Sequence, residues 1–162
     1  MNENIRLPKT AIPNRYEINL DINLDQFNYR GKEIVFLEVV DETKELQLHA
    51  LGIDIKSVFI ENDSGAHIDA SVDYLPEEER ISLVFENEIT KGDWQLYLEF
   101  EAEIVDELRG FYRSSFKDKE DKDVWIATTQ FEPTAARMAF PCWDEPEFKA
   151  VFSISLTTDS EL

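Results

Sequence analysis

A carboxylate and an amide lie two residues apart in the last third of the chain. Gln130 and Glu132 flank Phe131 on a stretch whose composition predicts an extended backbone. Because alternate side chains of an extended chain point to the same side, Gln130 and Glu132 project together, opposite Phe131. A carboxylate beside an amide can hold a protonated amine and an adjacent polar group. On spacing alone the simpler interpretation, in which Glu132 caps the following turn, is favoured.

Other chemically capable side chains follow this pair. Arg137 lies close in sequence to Asp144 and Glu145, and we expect the three to form a local ion-pair cluster. Cys142 stands beside an aromatic residue with no histidine near it in sequence, so it is interpreted as a buried small apolar residue. These residues therefore predict structural support rather than catalysis.

The sequence contains no motif of a conventional metal or nucleotide site. Its two histidines and one cysteine cannot form a usual zinc site without carboxylates, and H-E-x-x-H is absent. G-x-G-x-x-G, P-loop and G-x-S-x-G patterns are absent too. His49 falls on the polar side of an alternating segment and His67 follows a turn glycine, so both are expected at the surface or in structural roles. No metal ligand is predicted in this chain.

Composition excludes several classes of partner. The 162 residues include 35 acidic and 16 basic side chains, for a formal net charge of −19. Such a chain repels phosphate backbones, so nucleic acid and anionic membranes are not expected as partners. Apolar runs stop at four residues, far short of a membrane span, and no signal-peptide core is visible between Met1 and Tyr16. A single cysteine excludes an internal disulfide and fits a reducing compartment.

Period-two alternation predicts that strands position these side chains. The expected strands cover residues 16–24, 32–40, 45–50, 53–60, 68–74, 81–85, 94–104, 124–130 and 150–157. Short strands separated by turn residues predict an all-β antiparallel sandwich or barrel, with most acids on solvated faces. One short helical turn is expected near 134–140, opened by Pro133 at its first position and halted by Pro141. No strand face displays a row of exposed aromatics, which disfavours a carbohydrate-binding sandwich.

One long motif carries a resemblance to a known family. The run TQFEPTAARMAFPCWDEP at 129–146 resembles the N-terminal domain of zinc aminopeptidases of the aminopeptidase N and puromycin-sensitive aminopeptidase family. Three shorter matches occur in the order of that family: RLP at 6–8, LQLHA at 46–50 and GFYRSS at 110–115. The resemblance spans nearly the whole chain, so residues 1–162 are interpreted as one such domain that is incomplete at its C-terminal end.

This resemblance implies a saddle-like β-sandwich that packs on a catalytic domain. The catalytic domain would carry H-E-x-x-H and its zinc, and the complete enzyme would remove single residues from peptides with a free N-terminus. Glu132 matches the family position that binds the peptide α-amine, and Gln130 matches a position lining the pocket for the first residue. Four further matches are interpreted as structural supports for the motif: Arg137, Cys142, Asp144 and Glu145.

Two alternatives follow from what the chain lacks. Without H-E-x-x-H, the chain alone is expected to bind no zinc and to be inactive, with no catalytic residue of its own. The rival function is a non-catalytic interaction or scaffold module derived from the same fold; the presence of both Gln130 and Glu132 favours the enzyme.

Because Met1 directly precedes the RLP match with no membrane anchor ahead, the chain resembles cytosolic family members, and a cytoplasmic location is expected.

Overall fold

The computed structural model describes residues 6–159, and within that range the chain is almost entirely β-structure. Two short 3₁₀ turns cover Pro76–Glu78 and Ala136–Met138, and no α-helix occurs in the described range. The all-β prediction is therefore confirmed. The strands are β1 (Ala11–Asn23), β2 (Asn28–Val39), β3 (Thr43–His49), β4 (Ile53–Glu61), β5 (His67–Leu75), β6 (Arg80–Ile89), β7 (Gly92–Glu103), β8 (Gly110–Lys117), β9 (Asp123–Gln130) and β10 (Val151–Thr157).

Eight of these strands form one curled sheet that resembles half a barrel, with the order β10-β1-β2-β7-β4-β5-β6-β3. β8 and β9 form a separate antiparallel hairpin. Neighbours in the large sheet are antiparallel except β1 and β10, which run parallel. The large sheet is therefore mixed rather than purely antiparallel, because the chain returns to β1 through the long segment after β9.

The core lies on the inner face of the curled sheet. β7 shows why, because its alternate residues Trp94, Leu96, Leu98 and Phe100 are all buried while the residues between them are half-buried or exposed. Alternation of this kind places every second side chain on the apolar side of a pleated strand. Both ends of the large sheet are edge strands, β10 and β3.

One strand was not expected from the sequence. Residues 110–117 lack a simple period but form β8, which pairs along its length with β9. Arg113 lies on the same face of β8 as the buried Phe111, and its guanidinium lies 4.1 Å from the centre of the Phe27 ring. Cation–π packing of this kind lets a charged residue occupy a position where alternation leads one to expect an apolar one.

The helical turn is shorter than predicted. Only Ala136–Met138 forms a 3₁₀ turn, and residues 132–135 form turns instead. Pro133 lies in these turns and does not occupy the first position of a helix, and the peptide bond between Glu132 and Pro133 is cis. No helix in residues 6–159 is long and apolar enough to cross a membrane.

Candidate functional site

The hairpin of β8 and β9 carries Gln130 to its end and presents it to solvent. Gln130 is the last residue of β9 and pairs with Gly110, the first residue of β8. Gln130 and Glu132 are both exposed, and the Gln130 amide Nε2 donates to the Glu132 carbonyl oxygen at 3.5 Å. Within residues 6–159 the Glu132 carboxylate forms no hydrogen bond or ion pair. It does not cap the following turn, so the capping interpretation is wrong.

Phe131 points away from this pair, as extended geometry predicts. Its ring meets Phe140 edge-on with centroids 5.9 Å apart, and Phe140 is buried in the core. The Phe131 carbonyl accepts a hydrogen bond from the Ala135 N–H at 2.7 Å. This hydrogen bond and the ring contact hold the backbone next to Glu132 on the side that faces the core.

Residues 131–146, here called the site loop, are fastened to the sheet by buried hydrogen bonds. The Tyr29 hydroxyl donates to the carbonyl of Ala139 at 2.8 Å, and the Leu51 N–H donates to the carbonyl of Arg137 at 2.9 Å. Tyr29 is almost completely buried, and burial raises its pKa above its usual value. Buried backbone carbonyls require partners of this kind, and here strands distant in sequence supply them.

Gly110 and Met138 show how tightly the site loop packs on the hairpin. A Cβ atom at Gly110 would lie 2.6 Å from the Met138 Cβ, closer than van der Waals contact allows. The backbone of Gly110 also has a φ of +71°, in the region that favours glycine. This close approach fixes the distance between the loop and the strand end that carries Gln130.

Arg137 forms the ionic centre of the site loop. Its side chain is buried, and its guanidinium donates to Asp144 Oδ2 at 2.9 Å and to Glu79 Oε2 at 3.0 Å. The predicted pair with Glu145 is wrong, because Glu145 faces the N-terminal segment. There its carboxylate accepts from the Leu7 N–H at 2.6 Å. Arg137 thus pairs both with Asp144 of its own loop and with Glu79 in the turn before β6, and so joins the two.

Cys142 and His49 face each other in an antiparallel bridge. Their backbones exchange two hydrogen bonds, of 2.8 and 3.0 Å. His49 is buried, not on a polar face as expected, because its Nδ1 accepts from the Asp144 N–H at 3.3 Å. Burial, with nearby Arg137 and Arg80, lowers the pKa of His49 to about 3, so it is neutral at pH 7.

The Cys142 thiol is buried and its pKa is raised, chiefly by burial. A thiol with a raised pKa is a poor nucleophile, since the thiolate is the reactive form. The neighbouring Trp143 N–H donates to the hydroxyl of Tyr16 at 3.3 Å. Cys142 is therefore a residue of the site loop that fills space in the core.

The described residues do not supply a metal site. Residues 6–159 contain no group of three or more histidine, cysteine, aspartate or glutamate side chains that could hold an ion. His67 is exposed and contacts Glu61 at 2.8 Å and, more loosely, Asp69 at 3.4 Å. A cleft of about 870 Å³ lies at the ends of β1, β2 and β7, and neither Gln130 nor Glu132 lines it.

Three anchors of the site loop could not be identified from the sequence. Tyr29, Leu51 and Glu79 contribute a hydroxyl, an amide and a carboxylate from β2, from the connection after β3 and from the turn before β6. Each lies more than 50 positions from its partner, and no local pattern marks it. By contrast, the sequence motif at 129–146 contains the whole site loop, so the loop itself could be located from the sequence.

Comparison with known proteins agrees with this architecture. Residues 12–162 match the model of the Peptidase M1 N-terminal domain. Among curated relatives, aminopeptidase M1-C of Oryza sativa subsp. japonica is 38% identical over 158 residues, covering 97% of this chain and 18% of the relative. The puromycin-sensitive aminopeptidase of Caenorhabditis elegans is 35% identical over 158 residues, which cover 97% of this chain and 17% of the relative. Human endoplasmic reticulum aminopeptidase 1 is 33% identical over 156 residues, which cover 94% of this chain and 17% of the relative.

The fold is an all-β domain, and the named relatives that contain a similar segment are aminopeptidases. The chain belongs to the Peptidase M1 N-terminal domain family. It spans less than a fifth of the length of the curated relatives named above.

Proposed function

We propose that this chain is the substrate-recognising N-terminal part of an aminopeptidase, in which Glu132 holds the protonated α-amine of a peptide. Gln130, on the same side of the strand end, lines the pocket for the first side chain. The whole protein would remove N-terminal residues from peptides with a free N-terminus. Membership of the family and the names of the relatives support an aminopeptidase as the whole protein.

The observation that carries this proposal is an exposed, unpaired carboxylate on a fixed backbone. The Glu132 carboxylate has no partner within residues 6–159, whereas Glu79 and Asp144 both pair with Arg137 of the site loop. Ammonium groups bind carboxylates through charge-assisted hydrogen bonds, and a carboxylate already held in place loses little entropy on binding. An anchored amine also places the first peptide bond at a set distance, which restricts the site to chain ends.

The metal is assigned to another part of the protein. The family resemblance implies zinc, but the described residues do not offer a set of ligands for it. We therefore assign zinc, and the bond cleavage it supports, to the catalytic domain implied by the resemblance. The role of this chain is to bind and orient the substrate.

The hairpin offers a surface for packing on that catalytic domain. Phe116 and Ile126 lie on the hairpin face that also carries Gln130, and they are 51% and 45% exposed. Large apolar side chains exposed together are typical of interfaces. A catalytic domain seated on this face would bring its reacting groups next to Glu132.

We further propose a cytoplasmic location for the complete protein. The support is that the only cysteine, Cys142, is buried and unpaired, as is usual where thiols stay reduced. Fractionation of cells that express the tagged full-length protein tests this, and enrichment in a secreted or organellar fraction would refute it.

The proposed function is tested in the complete protein by changing Glu132→Ala and measuring kcat/KM on aminoacyl substrates. Losing a hydrogen bond to a charged group costs about 1.5–3 kcal/mol, so a decrease of about 10- to 100-fold is expected. Glu120→Ala is the matched control, since Glu120 is exposed at the far end of the hairpin and pairs only with Lys122. An unchanged kcat/KM for Glu132→Ala would refute the assignment, and complete absence of peptidase activity in the unaltered protein would favour a scaffold module.

A further inference from the structure

The edge strand β10 leaves a row of large apolar side chains uncovered. Alternate residues of β10 stand on the core face of the large sheet, since their partners on β1 are buried. The pairs, with the β10 residue first, are Phe152 with Tyr16, Ile154 with Ile18, and Leu156 with Leu20. The three β10 residues are nevertheless 49%, 53% and 63% exposed. The apolar inner face therefore continues to an edge that the described residues leave open.

Strand β10 also lacks the features that protect a sheet edge. All seven of its residues are exposed, and none of them is charged. Within residues 6–159 its second edge pairs with no strand. The opposite edge strand, β3, carries exposed Lys44 and Glu45, and its register with β6 shifts between Thr43 and Glu45. Charged side chains and an irregular register discourage pairing with another chain, so β10 is the edge that is available for it.

The sequence of this edge is complementary to itself. When two copies of β10 run antiparallel about Ile154, each residue faces the one that lies equally far from Ile154 on the other copy. The facing pairs are Ile154 with Ile154, Phe152 with Leu156, Ser153 with Ser155, and Val151 with Thr157. The two apolar rows then meet on the inner face of one continuous sheet, and no charge enters the pairing.

Two opposite charges flank the strand at equal distances from its centre. Lys149 and Asp159 each lie five residues from Ile154, and both are exposed. Neither forms an ion pair within residues 6–159. In the antiparallel arrangement, Lys149 of one copy faces Asp159 of the other, and this happens twice in the dimer. The charges beside the edge thus match their own two-fold copy, as the apolar row does.

We propose that β10 pairs antiparallel with β10 of a second copy of this chain, across a two-fold axis at Ile154. The net charge of −19 opposes association, and the seven paired residues span only about 23 Å. The dimer is therefore weak, with a dissociation constant on the order of 10–100 μM. This surface is separate from Glu132 and independent of the proposed function.

Sedimentation of the 162-residue chain at physiological salt measures this association. A concentration-dependent equilibrium between monomer and dimer is expected. In the ¹⁵N-labelled chain, the amide shifts that change with concentration should centre on residues 151–157. A chain that stays monomeric up to its solubility limit would overturn the proposal, and so would concentration-dependent shifts centred on another strand.

Charge reversal tests whether the partner is a two-fold copy. Lys149→Glu places like charges opposite each other twice in the dimer, so it should weaken dimerisation about five- to thirtyfold. Asp159→Lys should also weaken it, although this change reduces the net negative charge. Lys149→Asp combined with Asp159→Lys keeps the net charge and restores both opposite-charge pairs, so its dissociation constant should lie within about threefold of the original. A double variant as weak as the single variants would refute the two-fold pairing.

The apolar row is tested by Ile154→Lys, which places two lysines at the axis and should abolish measurable dimerisation. Leu108→Lys is the matched control of equal charge, because Leu108 is 78% exposed in the loop before β8. It should leave the equilibrium unchanged, and amide spectra establish that both variants are folded. Equal effects of the two changes would contradict pairing through β10.

The same sedimentation experiment on the complete protein tests the alternative occupant. A dimer whose β10 amides are protected from hydrogen exchange is the expected result. Protected β10 amides in a protein that stays monomeric would show that another segment of the same polypeptide covers the edge, and would overturn the proposal.

Discussion

Glu132 and Arg137 lie five residues apart and have opposite surroundings. Arg137 is 8% exposed and has carboxylate partners at 2.9 and 3.0 Å, whereas Glu132 is exposed and has none in the described range. The charge of Arg137 is neutralised by the carboxylates that hold the loop, whereas the charge of Glu132 remains available to a ligand. For this reason we propose that Glu132 binds the substrate and that Arg137 supports the loop.

Gly110 allows a direct measurement of how closely the site loop packs on the hairpin. Gly110→Ala introduces both a positive φ for alanine and a contact with Met138, so we expect a loss of at least about 2 kcal/mol in the free energy of unfolding. Gly52→Ala is the matched control, because Gly52 has a φ of +70° and open space around it. Its expected loss is about 1–2 kcal/mol. Urea denaturation of both variants checks this, and equal losses would show that the Met138 contact is unimportant.

Glu33 is a buried acid for which the described residues provide no hydrogen bond. It is 1% exposed, both of its carboxylate oxygens are unpartnered, and its cross-strand partners are Ile18 and Leu98. Burial raises the pKa of Glu33 well above 4.5. The Glu33 carboxyl group in turn contributes to the raised pKa values of buried Tyr16 and Cys142.

A raised folded-state pKa makes stability fall as pH rises. Below about pH 4.5, Glu33 is protonated in both the folded and the unfolded state and adds no pH dependence. Above that value, the unfolded chain ionises first, so the free energy of unfolding decreases until the folded carboxyl also ionises. Each unit of pKa difference costs about 1.4 kcal/mol.

Glu33→Gln should therefore be more stable than the unaltered chain at pH 7 and should lose this part of the pH dependence. Urea denaturation of both proteins between pH 4.5 and 8 provides the measurement. The expected curves converge at low pH and diverge as pH rises. Parallel curves over the whole range would contradict a buried, neutral Glu33.

At the scale of elements, sequence patterns predicted strands better than the contacts between them. The alternation in β7 gave the correct faces because this strand has one side in the core. In β4 the buried residues Ile53, Val58 and Ile60 do not follow one alternation, because the register shifts between Ile55 and Ser57. Strand β8 was not predicted, because the charged residue Arg113 stands where alternation requires an apolar one. Its guanidinium packs on the ring of Phe27. The stacking of Tyr97 on Phe59 was also not predicted, because only the register between β4 and β7 brings these two rings together.

In the candidate site, too, the direction of side chains was predictable from the sequence, whereas their partners were not. Gln130 and Glu132 were predicted to share a side, and both are exposed at the strand end. The pairing of Arg137 with Glu79 was not predictable, because the two residues are separated by 58 positions. Local spacing predicts which way a side chain points, whereas its partner depends on the topology.

The ionic centre of the site loop should contribute strongly to stability. Arg137→Met removes the partner of Asp144, which is only 15% exposed, and a loss of about 3–5 kcal/mol in the free energy of unfolding is expected. Arg30→Met is the control, since its ion pair with Glu101 is exposed and should contribute less than about 1 kcal/mol. Thermal or urea denaturation measures both losses, and similar small losses would show that the Arg137 network does not hold the loop.

At the scale of the whole molecule, one curled sheet supports the candidate site. The inner side of the sheet anchors the site loop through Tyr29, and the outer side carries the stacked rings of Tyr97 and Phe59. The chain is a domain of the Peptidase M1 N-terminal family and spans less than a fifth of its named relatives. Our proposal for the complete protein is that it hydrolyses peptides and that this domain selects substrates by their free amine.

The most direct test of that central claim compares two peptides of identical sequence, one with a free N-terminus and one N-acetylated. Their inhibition constants are measured on the complete protein and on its Glu132→Gln variant. The account predicts that the unaltered protein prefers the free amine and that Glu132→Gln reduces this preference by about tenfold or more. A preference of the same size in both proteins would contradict the role of Glu132.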